Sequence, residues 1–175
     1  MDIMELIKSR RSIRSFEDKE LPKGLIEKII EAGSWAPSAI NMQPWKFIAV
    51  TNKEVITDMA NAILVKMGAD PLVQERKKTM KDPIFYSAPL LVVILKEKEN
   101  NWSGIDCALA SQNMMLLAHS EGLGSCMIGR IKRIDASQFV KIPEGYEVHS
   151  SVVFGYPAET PEPGERKKDI LEWVT

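Results

Sequence analysis

The order of patterned segments predicts an α+β fold in which a sheet is layered between helices. Three observations carry that expectation. Helical patterns come first, and strand patterns follow, interleaved with helices of unequal length. Leu90–Leu95 is short, uniformly apolar and rich in Val and Ile, as a central strand covered on both faces should be. No G-x-G-x-x-G follows any strand pattern, so a doubly wound dinucleotide site is unsupported.

Taken in order, Asp2 with Glu5 three residues on forms a capping-box pattern, opening a short helix through Ile3, Leu6 and Ile7. It stops at the polar run 9–14. Pro22 starts a second helix with a core face of Leu25, Ile26, Ile29, Ile30 and Gly33, and Pro37 breaks it. Residues 38–44 form an irregular loop, Trp45–Thr51 a strand, and Asn52 caps a helix to about Met67. Asp70–Asp82 reads as a charged, mobile stretch. Ile105–Ser120 has few charges and is apolar on most sides, the pattern of a buried helix; Gly122 and Gly124 end it, Gly122 as a left-handed cap. Ser125–Gly129 and Val148–Gly155 are further strands, separated by a short helix over Asp135–Val140. The tail 156–168 holds three prolines and the cluster Arg166-Lys167-Lys168. Ile170–Val174 is strand-like again. Such a strand after a proline-rich arm folds back poorly on its own core, so pairing with a partner's sheet edge is expected.

The 175 residues suit one domain, 1–175, with 45% hydrophobic and 27% charged residues to build a core. A net charge of −1 provides no field to recruit nucleic acid or an anionic membrane, so any anion site must be local. The two cysteines, Cys107 and Cys126, lie in apolar stretches; they suggest packed thiols and a reducing cytoplasm. No secretory signal is visible in residues 1–5, and the longest apolar run, 89–95, is too short for a bilayer. His119 and His149 have no ligand-spaced neighbours, so no metal site is expected.

Four segments carry candidate chemistry. Arg10, Arg11 and Arg14, with Ser12 between them, offer forked donors and a hydroxyl suited to phosphate oxygens; alternatively they form a solvated loop answered by Glu17, Asp18 and Glu20. In 36–45, prolines bracket Ser38, Asn41 and Gln43, which suit the edge and ribityl hydroxyls of a flat heterocycle, or simply a turn-rich surface loop. Glycines in 122–129 let backbone approach a ligand at Gly129, or merely cap a helix and a strand. The fourth is the basic cluster 166–168, which alone describes a solvated face.

Together these segments resemble the nitroreductase family of flavoproteins. The resemblance rests on Arg10-Arg11-Ser12-Ile13-Arg14-Ser15-Phe16, on Ala36-Pro37-Ser38-Ala39 with Asn41 and Gln43-Pro44-Trp45, on Gly122-Leu123-Gly124-Ser125-Cys126-Met127-Ile128-Gly129, and on Gly155-Tyr156-Pro157 before the basic cluster. The segments span nearly the whole chain in register. The resemblance implies a three-layer α/β/α fold, with a central mixed, mainly antiparallel sheet flanked by helices and a C-terminal strand swapped onto a partner. It also implies a homodimer with FMN at the subunit interface.

By the same resemblance, Arg10, Arg11 and Ser12 grip the flavin phosphate and lower ribityl chain, and Arg14 sits at the N1–O2 edge, where hydride addition places negative charge. Pro37, Ser38, Ala39, Asn41 and Gln43 come from the other subunit. Backbone at Ile128 and Gly129 faces N5, and Arg166 with Lys167 (or Lys168) completes the phosphate cage. The implied reaction is ping-pong: NADH or NADPH delivers hydride to N5 and leaves, and a small nitroaromatic or quinone acceptor takes its place. No catalytic side chain is needed. Contacts to the pyrimidine ring from the middle of the chain are not assignable between Ala60 and Lys81. The lid, Ala69–Ile84, names no substrate; Glu75 is followed by Thr79 where dehalogenating relatives carry Tyr, which counts against deiodination. Reductive dehalogenation, flavin breakdown and non-enzymatic redox sensing remain alternatives on this fold. Nucleic-acid binding through the arginines lacks exposed interleaved aromatics.

Overall fold

A computed structural model describes residues 2–168 and 170–174. Five α-helices and four strands follow in the order α1 (Ile3–Ser9), α2 (Lys23–Ser34), β1 (Trp45–Val50), α3 (Lys53–Met67), α4 (Pro71–Lys77), β2 (Leu90–Glu97), α5 (Ser103–Ser120), β3 (Gly124–Ile128) and β4 (Tyr146–Gly155). Short 3₁₀ turns occupy Ala39–Asn41, Gly129–Arg133 and Ala136–Gln138. The sheet order is β1-β2-β4-β3, and every strand pair is antiparallel. Among the described residues the parallel contribution is a single bridge between Ser12 and Ser125.

Period-two alternation in β2 explains the three layers. Leu91, Val93 and Leu95 pack with Ile56, Met59 and Ile63 of α3 on one face. Leu90, Val92 and Ile94 pack with Ile29 of α2 and Ala110 and Met114 of α5 on the other. All six strand residues are fully buried, as the apolar run predicts. Helix α5 buries Cys107, Ala110, Ser111, Met114 and Ala118 against the sheet and α2, and α1 lies against α5 without burying any residue of its own.

The caps follow the sequence. Asn52 Oδ1 accepts from the backbone N–H of Glu54 and Val55, opening α3. Pro22 precedes α2. Gly122, at φ +77°, supplies the left-handed residue after α5.

Two expectations need correction. Asp70–Asp82 is not wholly irregular: Asp70 caps α4 by accepting from Leu72 and Val73, Pro71 takes the first helical position, and Val73 is buried. The segment anticipated as a helix over Asp135–Val140 is a 3₁₀ turn, Ala136–Gln138, in which Asp135 accepts from Ser137. Ile170–Val174, expected to pair with a partner's sheet edge, forms no strand within the single chain and is exposed, Val174 fully so.

Candidate functional site

The loop after α1 runs alongside β3. The Ile13 N–H donates to the Ser125 carbonyl at 3.0 Å, beside the Ser12–Ser125 bridge. Gly124 permits this approach, because a Cβ there would lie 2.7 Å from Ile13 Cγ1. The C-terminal arm is laced to the same loop. Glu17 N–H donates to the Tyr156 carbonyl and Ala158 N–H to the Ser15 carbonyl, each at 2.9 Å, and the Glu159 carboxylate accepts the Arg14 backbone N–H. Both ends of the chain therefore meet at β3, next to the last turn of α5, where Ser9 Oγ and His119 Nε2 are 2.8 Å apart.

The arginines gathered there are poorly neutralised. Arg10 Nη1 donates to the Arg11 carbonyl at 3.0 Å, and Arg11 Nη1 to the carbonyls of Lys8 and Arg10 at 2.7 and 2.9 Å. Arg14 Nη1 donates to the Ser12 carbonyl at 3.3 Å. Among the described residues none of the three guanidiniums pairs with a carboxylate, and Asp18 is taken by Lys53 instead. Arg11 Nε is buried without any hydrogen-bond partner. Burial, with the charges of Arg11 and Arg166 beside it, holds Arg10 below the ordinary arginine value despite the opposing influence of Cys126. A guanidinium stays charged at neutral pH all the same. The influence of Arg166 on Arg10 puts it near the cluster; Arg166, Lys167 and Lys168 are all exposed.

Arg14, Ile128 and Gly129 open onto one cleft of about 400 Å³, shared with Arg76, Arg130 and Arg133. Arg76 Nη1 donates to the Tyr86 hydroxyl at 3.0 Å, which holds its guanidinium at the wall. Sequence reasoning missed these three arginines. Arg76 lies on α4, the helix it overlooked, and Arg130 and Arg133 stand three apart in the turn after Gly129, a spacing that eclipses side chains in a 3₁₀ helix. Cys126 lines the same cleft, but burial outweighs Arg14, Arg10 and Arg76 and pushes its thiol up, so it stays protonated. Cys107, deeper in the core, is pushed up to about 12 by burial.

The remaining expected residues lie elsewhere. In the loop carrying Pro37, Ser38, Ala39, Asn41 and Gln43, Ala39 N–H donates to Asp106 in the first turn of α5 at 3.3 Å. Gln43 N–H donates to Ser38 Oγ at 3.0 Å, and Gln43 Nε2 to Asn41 Oδ1 at 3.2 Å. Ile40, Asn41 and Gln43 all have positive φ (45°, 59° and 50°), which is unusual above all for the β-branched Ile40. Asp106 and His119 stand thirteen positions apart on α5, about 20 Å at helical rise. One chain thus joins Arg10, Arg11, Ser12, Arg14, Ile128, Gly129 and Arg166, and leaves the 37–43 loop at the other end of α5.

Comparison with known proteins agrees with this architecture. A protein from Methanothermobacter thermautotrophicus, provisionally named an NADH dehydrogenase/NAD(P)H nitroreductase, is 36% identical over 92% of this chain and 80% of its own length. A nitroreductase from Bacteroides fragilis, solved with bound FMN, superposes with a TM-score of 0.84 at 30% identity, covering 100% of both chains. Another from Desulfitobacterium hafniense, also with bound FMN, gives a TM-score of 0.87 at 28% identity over 98% of this chain and 97% of that one. The nitroreductase family model matches residues 7–156, most of the chain, and by that match together with the shared fold the chain belongs to the nitroreductase family.

Proposed function

We propose that the protein is an FMN-dependent NAD(P)H oxidoreductase that acts as a cytoplasmic homodimer on a small organic acceptor of nitroaromatic or quinone type. The observation that carries this reading is the buried, unpartnered Nε of Arg11 within a cluster that also holds Arg10, Arg14 and Arg166. A buried donor costs about 1–3 kcal/mol if nothing accepts from it, and clustered cations repel one another. A phosphate dianion would answer both, so the residues present fit FMN.

In this reading Arg10, Arg11, Ser12, Arg166 and Lys167 hold the phosphate end. Arg14 would serve the pyrimidine edge, with Arg76 across the cleft, and the backbone of Ile128 and Gly129 would border the reacting centre. FMN supplies reversible two-electron hydride chemistry. The chain supplies fixed positive charge where negative charge develops, and walls that let donor and acceptor use one face in turn.

The homodimer is supported by two features. Pro37, Ser38, Ala39, Asn41 and Gln43 cannot reach the arginine cluster of their own chain, whereas those of a second copy would complete it. Ile3, Met4, Ile7, Ile105 and Leu109 leave apolar surface uncovered along α1 and α5. The exposed tail 170–174 would pack on that partner. No helix among the described residues is long and apolar enough to cross a membrane, and the cytoplasmic assignment rests on two unpaired, buried cysteines.

The test is the absorption spectrum of protein purified after incubation with FMN, before and after anaerobic addition of NADH or NADPH. A yellow dimer bleached by nicotinamide is expected. Protein that stays colourless in excess FMN would refute the reading.

A further inference from the structure

The cleft bordered by Gly129 carries more positive charge than a flavin edge needs. Arg14, Arg76, Arg130 and Arg133 all line it, and no Asp or Glu does. Glu159, the carboxylate bonded to the Arg14 backbone, is not part of its wall. In the reading above, Arg14 is committed to the pyrimidine edge, and Arg76 is held by the Tyr86 hydroxyl. Arg130 and Arg133 remain.

Their placement is built into the fold. They sit on the 3₁₀ turn Gly129–Arg133, where residues three apart stack on one side. Ile131 between them is fully buried and pins the turn against α3 and β4, while Lys132 is exposed and takes no part in lining the cleft. Arg130 is half-buried, and among the described residues neither guanidinium has a hydrogen-bond or ion-pair partner. Two forked cations on a rigid turn, one of them partly desolvated, are matched to a planar anion.

We propose that Arg130 and Arg133 form an anion-binding subsite for the oxidising substrate, which is therefore an acceptor carrying a carboxylate or similar anionic group beside its reducible ring. The inference rests on the flavin reading. Its subsite adjoins Gly129, so an anion held there keeps the attached ring within the cleft.

The experiment compares a charged acceptor with a neutral one of the same shape, 4-nitrobenzoate and 4-nitrobenzamide, on flavin-loaded wild type, R130A/R133A and R130K/R133K. Reoxidation is followed separately from reduction by NADH and by NADPH, and benzoate binding is measured by calorimetry. The wild type should favour nitrobenzoate in kcat/KM, and R130A/R133A should lose that preference by roughly tenfold to a hundredfold. Nitrobenzamide turnover and both reduction rates should hold, benzoate binding should weaken, and R130K/R133K should recover part of the preference. An unchanged preference in R130A/R133A overturns the subsite. So does a loss confined to reduction by NADPH, which would assign the anion to the donor's phosphate. Colourless protein would instead overturn the flavin reading, and this inference with it.

Discussion

Gly124→Ala tests how the arginine loop is docked. The new Cβ would lie 2.7 Å from Ile13 Cγ1 and 2.8 Å from Ile13 Cβ, where ordinary contact begins at 3.4 Å, so Ile13 must retreat by about 0.7 Å. Rotating the side chain cannot relieve this, because Ile13 Cβ is itself one of the atoms struck. The backbone has to move, and with it the 3.0 Å bond from Ile13 N–H to the Ser125 carbonyl. Overpacking of this kind costs about 1–3 kcal/mol and a weakened hydrogen bond about 1 kcal/mol, roughly 2–4 kcal/mol together. For a chain of this size that lowers Tm by about 5–15 °C. Thermal denaturation of flavin-free protein measures it, with Gly129→Ala as the control. Nothing lies within 4 Å of a Cβ at Gly129, so that variant should melt with the wild type while binding FMN more weakly. If Gly124→Ala melted within a degree or two of wild type, the close docking of the loop on β3 would not be a real constraint.

Three further outcomes are expected. Arg11→Met removes the unpartnered Nε and one of the clustered charges, so flavin-free protein should gain about 1–2 kcal/mol in urea unfolding while FMN affinity falls at least tenfold; a loss of both would contradict the assigned role. Arg14→Ala should slow flavin reduction by NADH roughly tenfold to a hundredfold and lower the flavin midpoint potential, since a fixed cation at the developing charge is gone; wild-type reduction kinetics would exclude that role. His149, bonded to Ser150 Oγ at 3.0 Å, is held below the ordinary histidine value by burial and then by Lys132 and Lys96. The unfolded chain therefore takes up this proton first, so the stability His149 allows is present above about pH 6.5 and is lost as pH falls from there through the folded-state value. His149→Gln should flatten the fall in Tm on acidification, and an unchanged pH profile would count against it.

The amino-acid sequence by itself determined most local structure. The alternation in Leu90–Leu95, the Asn52 cap and the prolines flanking α2 act over a few residues, and short-range sterics and hydrogen bonding decide such elements without outside help. The four candidate segments were legible too, because Arg-rich and Gly-rich stretches leave local signatures. Helix α4 was not: with little beyond Leu72 and Val73 to make an apolar face, its stability comes from burying Val73 in a core assembled from distant residues. Only the tertiary structure placed Arg166 beside Arg10, set Arg76, Arg130 and Arg133 around one cleft with Arg14, and carried the 37–43 loop to the far end of α5. Those are relations between residues tens to more than a hundred positions apart, fixed by the order in which strands pair and by which sheet face each helix covers, and no local pattern encodes them.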